Sequence, residues 1–339
     1  MASQPTLSLG AAGAAGLALA AASGAEARNI VITNDDGLTS NVVALYEALK
    51  AAGHDVVVSV PCRDQSGQGA ALGIARPIAP LTEPCRNDAA AAGAPGAGPM
   101  TRKGLPGDGA RDFHYVDGTP VAALLHGIEV AGKARWGKAP DLVLSGPNEG
   151  QNVGAIILSS GTVSAAQYAA VSGIPAVALS AGAGTESPTL DNPLSDEVAR
   201  RSVELVAHLD ARSQGGAMLP PGLALNVNFP DRLEGAAWQL SEIGSYNAYK
   251  VGFTADMAAS ASPMMQMMAK SRGTQIPALP GVSFDFNTAL PAPEQLDDES
   301  VVYRNAIAVS PMQAGYAYPA GAAPLTREQL AALLPSAGK

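Results

Sequence analysis

Apolar and polar positions run along this chain in two alternating rhythms. Ile30 to Thr33 is a short β-branched run, the signature of a buried strand. From Val42 to Leu49 the pattern turns helical, with apolar residues at 42, 45, 46 and 49, the spacing of one helix face. The same rhythm returns downstream. Val56 to Val60 predicts a second strand, and Phe113 to Val116 a third. A helix is predicted from Val121 to about Val130, with Thr119 as its N-cap and Pro120 as its first residue. Asp141 to Ser145 and Ile174 to Ser180 read as strands, separated by an Ala-rich helix that opens near Ser159 and ends near Gly173. A helix from about Ser195 to Leu209 and a strand from Leu223 to Phe229 follow. Strands alternating with helices predict an α/β fold built on a parallel sheet. Later the pattern loosens. Val251 to Asp298 reads as loop-rich, with Met264, Met265, Met267 and Met268 read as packing or subunit contact. Ala306 to Ser310 predicts a late strand and Leu325 to Leu334 a short C-terminal helix. Residues 87–112, rich in Ala, Gly and Pro without periodicity, read as a flexible surface insertion.

The chemistry gathers where these strands end. Asp35 and Asp36 follow the first strand directly, and Gly37 is free to take a left-handed turn. In an open parallel sheet, ligands collect at the carboxyl ends of strands. Two adjacent carboxylates repel and are costly to desolvate, a cost that a divalent cation removes. Oxygen donors favour Mg²⁺, Mn²⁺ or Ca²⁺. The competing reading makes the pair a turn and a helix cap. Ser66 lies in the polar loop Pro61–Gly69, and Asn148 in the loop Gly146–Gly154, whose three glycines and second Asn, Asn152, suit close backbone approach. Ser160, Gly161 and Thr162 open a helix, a place suited either to a phosphate or to plain capping. His54 reads as exposed loop, and His114 and His126 as packed.

Composition narrows the function. The chain has 339 residues, enough for a large core, and is 47% hydrophobic but only 4% aromatic, so Ala, Val and Leu fill the interior. A net charge of −9 without a Lys/Arg-rich run argues against a nucleic-acid surface. Gly10 to Ala22 is nearly all Gly, Ala and Leu, and Ala25-Glu26-Ala27 offers a small-x-small cleavage site, although no Lys or Arg precedes Arg28. We read residues 1–27 as an export signal, which places the mature chain in the periplasm or outside the cell; a disordered Ala-rich tail on a cytoplasmic protein is the alternative. The run is too short and small-sided to span a membrane. Cys62 and Cys85 have no metal-binding spacing. In an exported chain they suit one disulfide, and otherwise are two thiols.

Taken together, Ile32-Thr33-Asn34-Asp35-Asp36-Gly37, Ser66-Gly67, Val116-Asp117-Gly118-Thr119-Pro120, the run from Ser145 to Gly154 and Ser160-Gly161-Thr162-Val163 resemble the SurE family of survival-protein nucleotidases. Leu225 to Pro230 and Ala308 to Met312 look like its later strands, so the likeness covers about residues 29–315. The resemblance implies a Rossmann-like, mostly parallel sheet with helices on both faces, plus a C-terminal loop- and hairpin-rich extension. It assigns residues 28–325 to the phosphatase domain, 245–300 to subunit contacts in a homodimer or homotetramer, and 326–339 to a tail. It implies a metal-dependent phosphomonoesterase acting on nucleoside monophosphates, of the 5′-nucleotidase type with 3′ activity open, and not on nucleic-acid polymers. Asp35, Asp36, Ser66 and Asn148 would hold one Mg²⁺ or Mn²⁺ per subunit. Asn152, Ser160, Gly161 and Thr162 would hold the phosphate, with Asp35 or Asp36 as base or nucleophile. Pro147 departs from the family's usual aliphatic residue, Ser164 from its Gly, and Gln167-Tyr168 from an acidic residue and its neighbour. A rival of another class is an exported nucleotide- or phosphate-binding protein of the same fold without turnover.

Overall fold

Ile30, Val31 and Ile32 form the middle of strand β1 (Asn29–Thr33), and their alternation decides the layering. The computed structural model describes residues 27–271 and 273–316. The N-terminal segment up to residue 26 and the C-terminal helix expected at Leu325–Leu334 lie outside the described residues. Ile30 and Ile32 face one apolar layer, with Val42, Leu45 and Leu49 of helix α1 (Ser40–Ala51) and Val198, Ala199 and Val206 of the long helix Pro193–Ser213. Val31 faces the other, with Leu124 and the Ala-rich face of the helix Gly161–Val171. The period-2 pattern thus feeds both faces of the sheet, and each buried Ile or Val contributes roughly 1.5–3 kcal/mol.

The remaining strands are β2 (Asp55–Pro61), β3 (Ala97–Pro99), β4 (Phe113–Val116), β5 (Leu142–Glu149), β6 (Ala176–Ala181), β7 (Leu223–Asn228), β8 (Trp238–Leu240), β9 (Tyr249–Thr254), β10 (Gly281–Phe286) and β11 (Ile307–Gln313). Nine of them form one sheet in the order β3-β4-β2-β1-β5-β6-β7-β11-β8. The six from β4 to β7 are mutually parallel, whereas β3 and β11 run antiparallel to β4 and β7. The expected α/β architecture with helices on both faces is the one observed. Helices α2 (Gly109–Asp112), α3 (Pro120–His126), α4 (Lys133–Trp136), α5 (Gly161–Val171) and α6 (Pro193–Ser213) follow in chain order. Thr119 caps α3 as expected, its hydroxyl accepting from the Ala122 N–H at 3.3 Å. Among the described residues no helix is long and apolar enough to cross a membrane.

Three expectations need correcting. Residues 87–112 are not a loose insertion. They supply edge strand β3, and Ala89, Ala90 and Met100 pack into the core beside Leu81. The fixing comes from long-range contacts that carry no periodic signal: Cys62 and Cys85 form a disulfide, and the Thr101 N–H donates to the Ala89 carbonyl at 2.9 Å. His54 is buried rather than exposed, because its Nδ1 accepts the Arg28 backbone N–H at 3.2 Å. The stretch Val251–Asp298 is more regular than expected. It carries the antiparallel hairpin β9–β10 and helix α7 (Pro263–Ser271), which holds the Met cluster with Met265 buried and Met267 exposed.

His114 and His126 pack with ring centroids 5.5 Å apart. Burial, then the charge of His126, lowers the His114 pKa to about 4 from 6.5. Between these values the unfolded chain binds the proton and the folded chain does not. The His114 contribution to stability is therefore complete above pH 6.5 and lost as pH falls through 4, by up to about 3 kcal/mol. Denaturant titrations from pH 7 to 4 are expected to show a shallower stability loss in His114→Gln than in the wild type; parallel profiles would contradict this.

Candidate active site

β1 stands where the winding of the sheet reverses: β2 and β4 extend to one side of it, β5, β6 and β7 to the other. The carboxyl ends of β1 and β5 flank such a switch point, the usual ligand crevice of an open parallel sheet. Asp35 and Asp36 follow β1, and Asn148 lies at the end of β5 beyond a register shift after Ser145.

The acidic turn is clamped from within. The Asn34 side chain accepts the Gly37 N–H at 3.1 Å and donates to the Gly37 carbonyl at 2.7 Å. Gly37 takes φ +89°, and a Cβ there would sit 3.0 Å from the Pro61 carbonyl, so the turn needs glycine. Both carboxylates are held almost out of water, 3% and 5% exposed. Burial, and then the charge of Asp64, raises the Asp35 pKa against the opposing hydrogen bond from Thr162; burial, Asp35 and Glu149 drive Asp36 well above the usual carboxylate range.

Helix α5 brings its N-terminus onto Asp35. The Gly161 N–H donates to Asp35 Oδ2 at 3.1 Å, and the Thr162 hydroxyl lies 2.5 Å from Asp35 Oδ1 and 3.1 Å from Asn148 Oδ1. Asn148 Nδ2 donates to the Gly150 carbonyl at 2.7 Å, which turns its amide oxygen toward Thr162. One hydroxyl proton cannot serve two acceptors at once. Three oxygens, from the turn after β1, the end of β5 and the start of α5, therefore converge with too few protons among them, a donor set that fits a hard cation. Asp36 Oδ2 accepts the Glu149 N–H at 3.0 Å, so the second carboxylate is also tied to the end of β5.

The Ser66 loop docks on this crevice from the β2 side. The Gln65 N–H donates to the Asp35 carbonyl at 2.8 Å, and the Gly69 N–H to the Ser159 carbonyl at 3.0 Å. Ser66 itself is exposed, and gives its hydroxyl proton to Asp64 Oδ1 at 2.6 Å, which leaves the oxygen lone pairs available to a ligand. Ser160 is the N-cap of α5, its hydroxyl accepting from the Val163 N–H at 3.1 Å. Asn152 is drawn into the sheet instead: its Nδ2 donates to Ser180 at 2.9 Å, and its carbonyl accepts from Asn226 and Asn228.

Several supporting residues carried no sequence signal of a role. Asn226 and Asn228 lie two apart on β7, and Glu299 holds the Gly154 and Gly244 N–H groups, so the glycine-rich loop is pinned from behind. Gln167, one of the atypical residues, accepts the Gly315 N–H at 2.9 Å and ties α5 to the end of the described chain. Asp64 and Arg86 are further omissions. The Asn34 role was accessible, since Asn three residues before Gly is a familiar turn pattern.

Known proteins share this chain's sequence pattern and fold. Relatives include the 5′-nucleotidase SurE of Thermosipho melanesiensis, 30% identical over 202 residues, covering 60% of this chain and 65% of that one. An acid phosphatase of Yarrowia lipolytica is 34% identical over 214 residues, 59% of this chain and 56% of its own. The chain thus spans just under two thirds of the first and little over half of the second. The crystal structure of the SurE protein from Aquifex aeolicus superposes with a TM-score of 0.60 at 25% identity, covering 89% of this chain and 99% of that one. The model of the family described as Survival protein SurE matches residues 30–250, a span that contains every residue of the crevice named above from Asn34 to Asn228. This chain belongs to the survival protein SurE family.

Proposed function

We propose that this chain is a metal-dependent phosphomonoesterase that releases phosphate from nucleoside monophosphates, with 5′-monophosphates as substrates and 3′-monophosphates as a second class to be tested. The observation that carries the reading is the Thr162 hydroxyl set between Asp35 Oδ1 and Asn148 Oδ1, an oxygen cluster short of protons. The names 5′-nucleotidase and acid phosphatase on its relatives support it. Asp35, Asp36, Ser66 and Asn148 are the residues that would hold Mg²⁺ or Mn²⁺. Such a cation supplies charge that offsets the phosphoryl group and acidifies the attacking water. Gly161 and Thr162, at the positive end of α5, receive phosphoryl oxygens, with Ser160 shaping the turn and Asn152 holding the neighbouring loop. Asp36 Oδ2 accepts the Glu149 N–H, and in this reading its Oδ1 accepts the water proton. Water oxygen bonds to phosphorus, the ester P–O bond breaks, and the proton taken up by Asp36 passes to the leaving nucleoside oxygen.

An exported, periplasmic or secreted location belongs to the same reading. The Cys62–Cys85 disulfide supports it, because such bonds persist in oxidising compartments. A homodimer or homotetramer formed through residues 245–300 is supported by Val251, Phe253 and Val282, which stand exposed on the β9–β10 hairpin. The test is phosphate release from a panel of 5′- and 3′-nucleotides. We expect turnover with Mn²⁺ or Mg²⁺, its loss on adding EDTA, and its return on resupply of the metal. Turnover indifferent to EDTA sinks the metal assignment; nucleotide binding without phosphate release selects the binding-protein alternative.

A further inference from the structure

Arg86 sits directly after Cys85 and has no counterpart in the motifs that identify the family here. The Cys62–Cys85 disulfide brings the two Cα atoms to 4.7 Å, and the Arg86 N–H donates to the Cys62 carbonyl at 2.8 Å. These two links fix the Arg86 backbone at the end of β2. Its stem then runs past Gly37, where an added Cβ would lie 3.6 Å from Arg86 Cβ. Nη1 donates to the Asp36 carbonyl at 2.9 Å, and Nη2 to Glu149 Oε2 at 2.6 Å. Glu149 closes the circuit, because its own N–H donates to Asp36 Oδ2. The main chain and the carboxylate of Asp36 are thus both held by one Arg–Glu unit.

We propose that Arg86, anchored by the Cys62–Cys85 disulfide, is a positioning residue that aims the Asp36 carboxylate into the crevice between β1 and β5. The proposal rests on the reading of that crevice as a metal site. The Glu149 side chain is only 5% exposed, and its Oε1 has no partner. Without Arg86 it becomes an uncompensated buried anion beside Asp36, and the two repel. Arg86 therefore serves twice: it pins the Asp36 carbonyl, and it neutralises the neighbour that would push the carboxylate aside. The disulfide contributes by holding Arg86 in register at the start of the three-residue 3-10 turn Arg86–Asp88.

The test uses the full chain in four forms beside the wild type: Arg86→Met, Arg86→Lys, the pair Cys62→Ser with Cys85→Ser, and that pair combined with Arg86→Met. Mn²⁺ affinity is read from the electron paramagnetic resonance signal of free Mn²⁺ without substrate, folding from circular dichroism, and kcat and KM from phosphate release by AMP. Arg86→Met is expected to weaken Mn²⁺ binding by about 10- to 100-fold, the usual effect of losing an outer partner of a metal ligand. KM for AMP at saturating Mn²⁺ is expected to change far less. Arg86→Lys restores part of the affinity, since one ammonium can meet one of the two partners. Removing the disulfide weakens Mn²⁺ binding in the same direction, yet adds little once Arg86 is already Met. Wild-type Mn²⁺ affinity in Arg86→Met overturns the proposal, as do disulfide and Arg86 effects that multiply independently. If Arg86→Met does not fold, Arg86→Lys decides: a loss of Mn²⁺ affinity with the fold kept supports positioning, and unchanged affinity overturns it. A wild-type chain that neither binds Mn²⁺ nor releases phosphate refutes the functional reading itself and this proposal with it, a result distinct from any difference among variants.

Discussion

Asp36→Asn is expected to lower metal-stimulated phosphate release from AMP by on the order of 10³-fold while leaving the fold intact. The size follows from the several kcal/mol of transition-state charge stabilisation that a bound metal supplies, at about 1.4 kcal/mol per factor of ten. The fold should survive because an Asn oxygen can still accept the Glu149 N–H that Asp36 Oδ2 now takes. The metal-free protein should even gain stability. Asp36 is a buried carboxylate beside Asp35 and Glu149, and the substitution removes that repulsion. The two readouts therefore move in opposite directions: turnover falls, and the melting temperature without metal holds or rises. A merely structural Asp36 predicts the reverse, a lower melting temperature and near-normal turnover. Metal-stimulated release near the wild-type rate would falsify the site assignment.

Gly161→Ala is expected to cost about 100-fold in kcat, for a steric rather than an electrostatic reason. A Cβ at residue 161 would lie 2.5 Å from Pro120 Cγ, 2.7 Å from Asp35 Cβ and 2.9 Å from Asp35 Oδ2. None of these neighbours is a free side-chain end. Pro120 opens α3, and Asp35 is held by the Gly161 N–H, the Thr162 hydroxyl and the β1 turn. Either α5 retreats from the crevice or Asp35 turns, and a misplacement near 1 Å at a reacting centre costs about 10² in rate. Overpacking of this kind also destabilises by roughly 1–3 kcal/mol. Kinetics and chemical denaturation on one preparation check both effects. Wild-type kcat together with wild-type stability would show that the contact yields without disturbing Asp35.

How far the sequence alone reaches can be judged residue by residue. Ile30, Val31 and Ile32 announced a central strand, and Thr119-Pro120 announced the start of α3, because alternation and capping are local properties written over a few neighbouring positions. Asp35, Asp36 and Asn148 could be singled out because each follows an apolar run, and parallel strands present their carboxyl ends on one edge. Asn152 shows the limit of that logic. It belongs to the same loop as Asn148, yet its side chain turns into the sheet toward Ser180, a partner 28 residues away. His54 and residues 87–112 show the same limit: a polar or small residue reads as exposed until its distant partner is known, here Arg28 for the one and the Cys62–Cys85 bridge with β4 for the other.

The chain by itself therefore determined its alternating elements, its layered α/β architecture and the set of oxygen-bearing turns, all of which follow from short-range periodicity and the directionality of parallel strands. Only the tertiary structure decided which of those oxygens meet, that Thr162 stands between Asp35 and Asn148, and that Arg86 and Glu149 back Asp36. Such pairings join groups separated by 14 to 127 residues. Their geometry depends on strand order and loop closure, which no local pattern encodes.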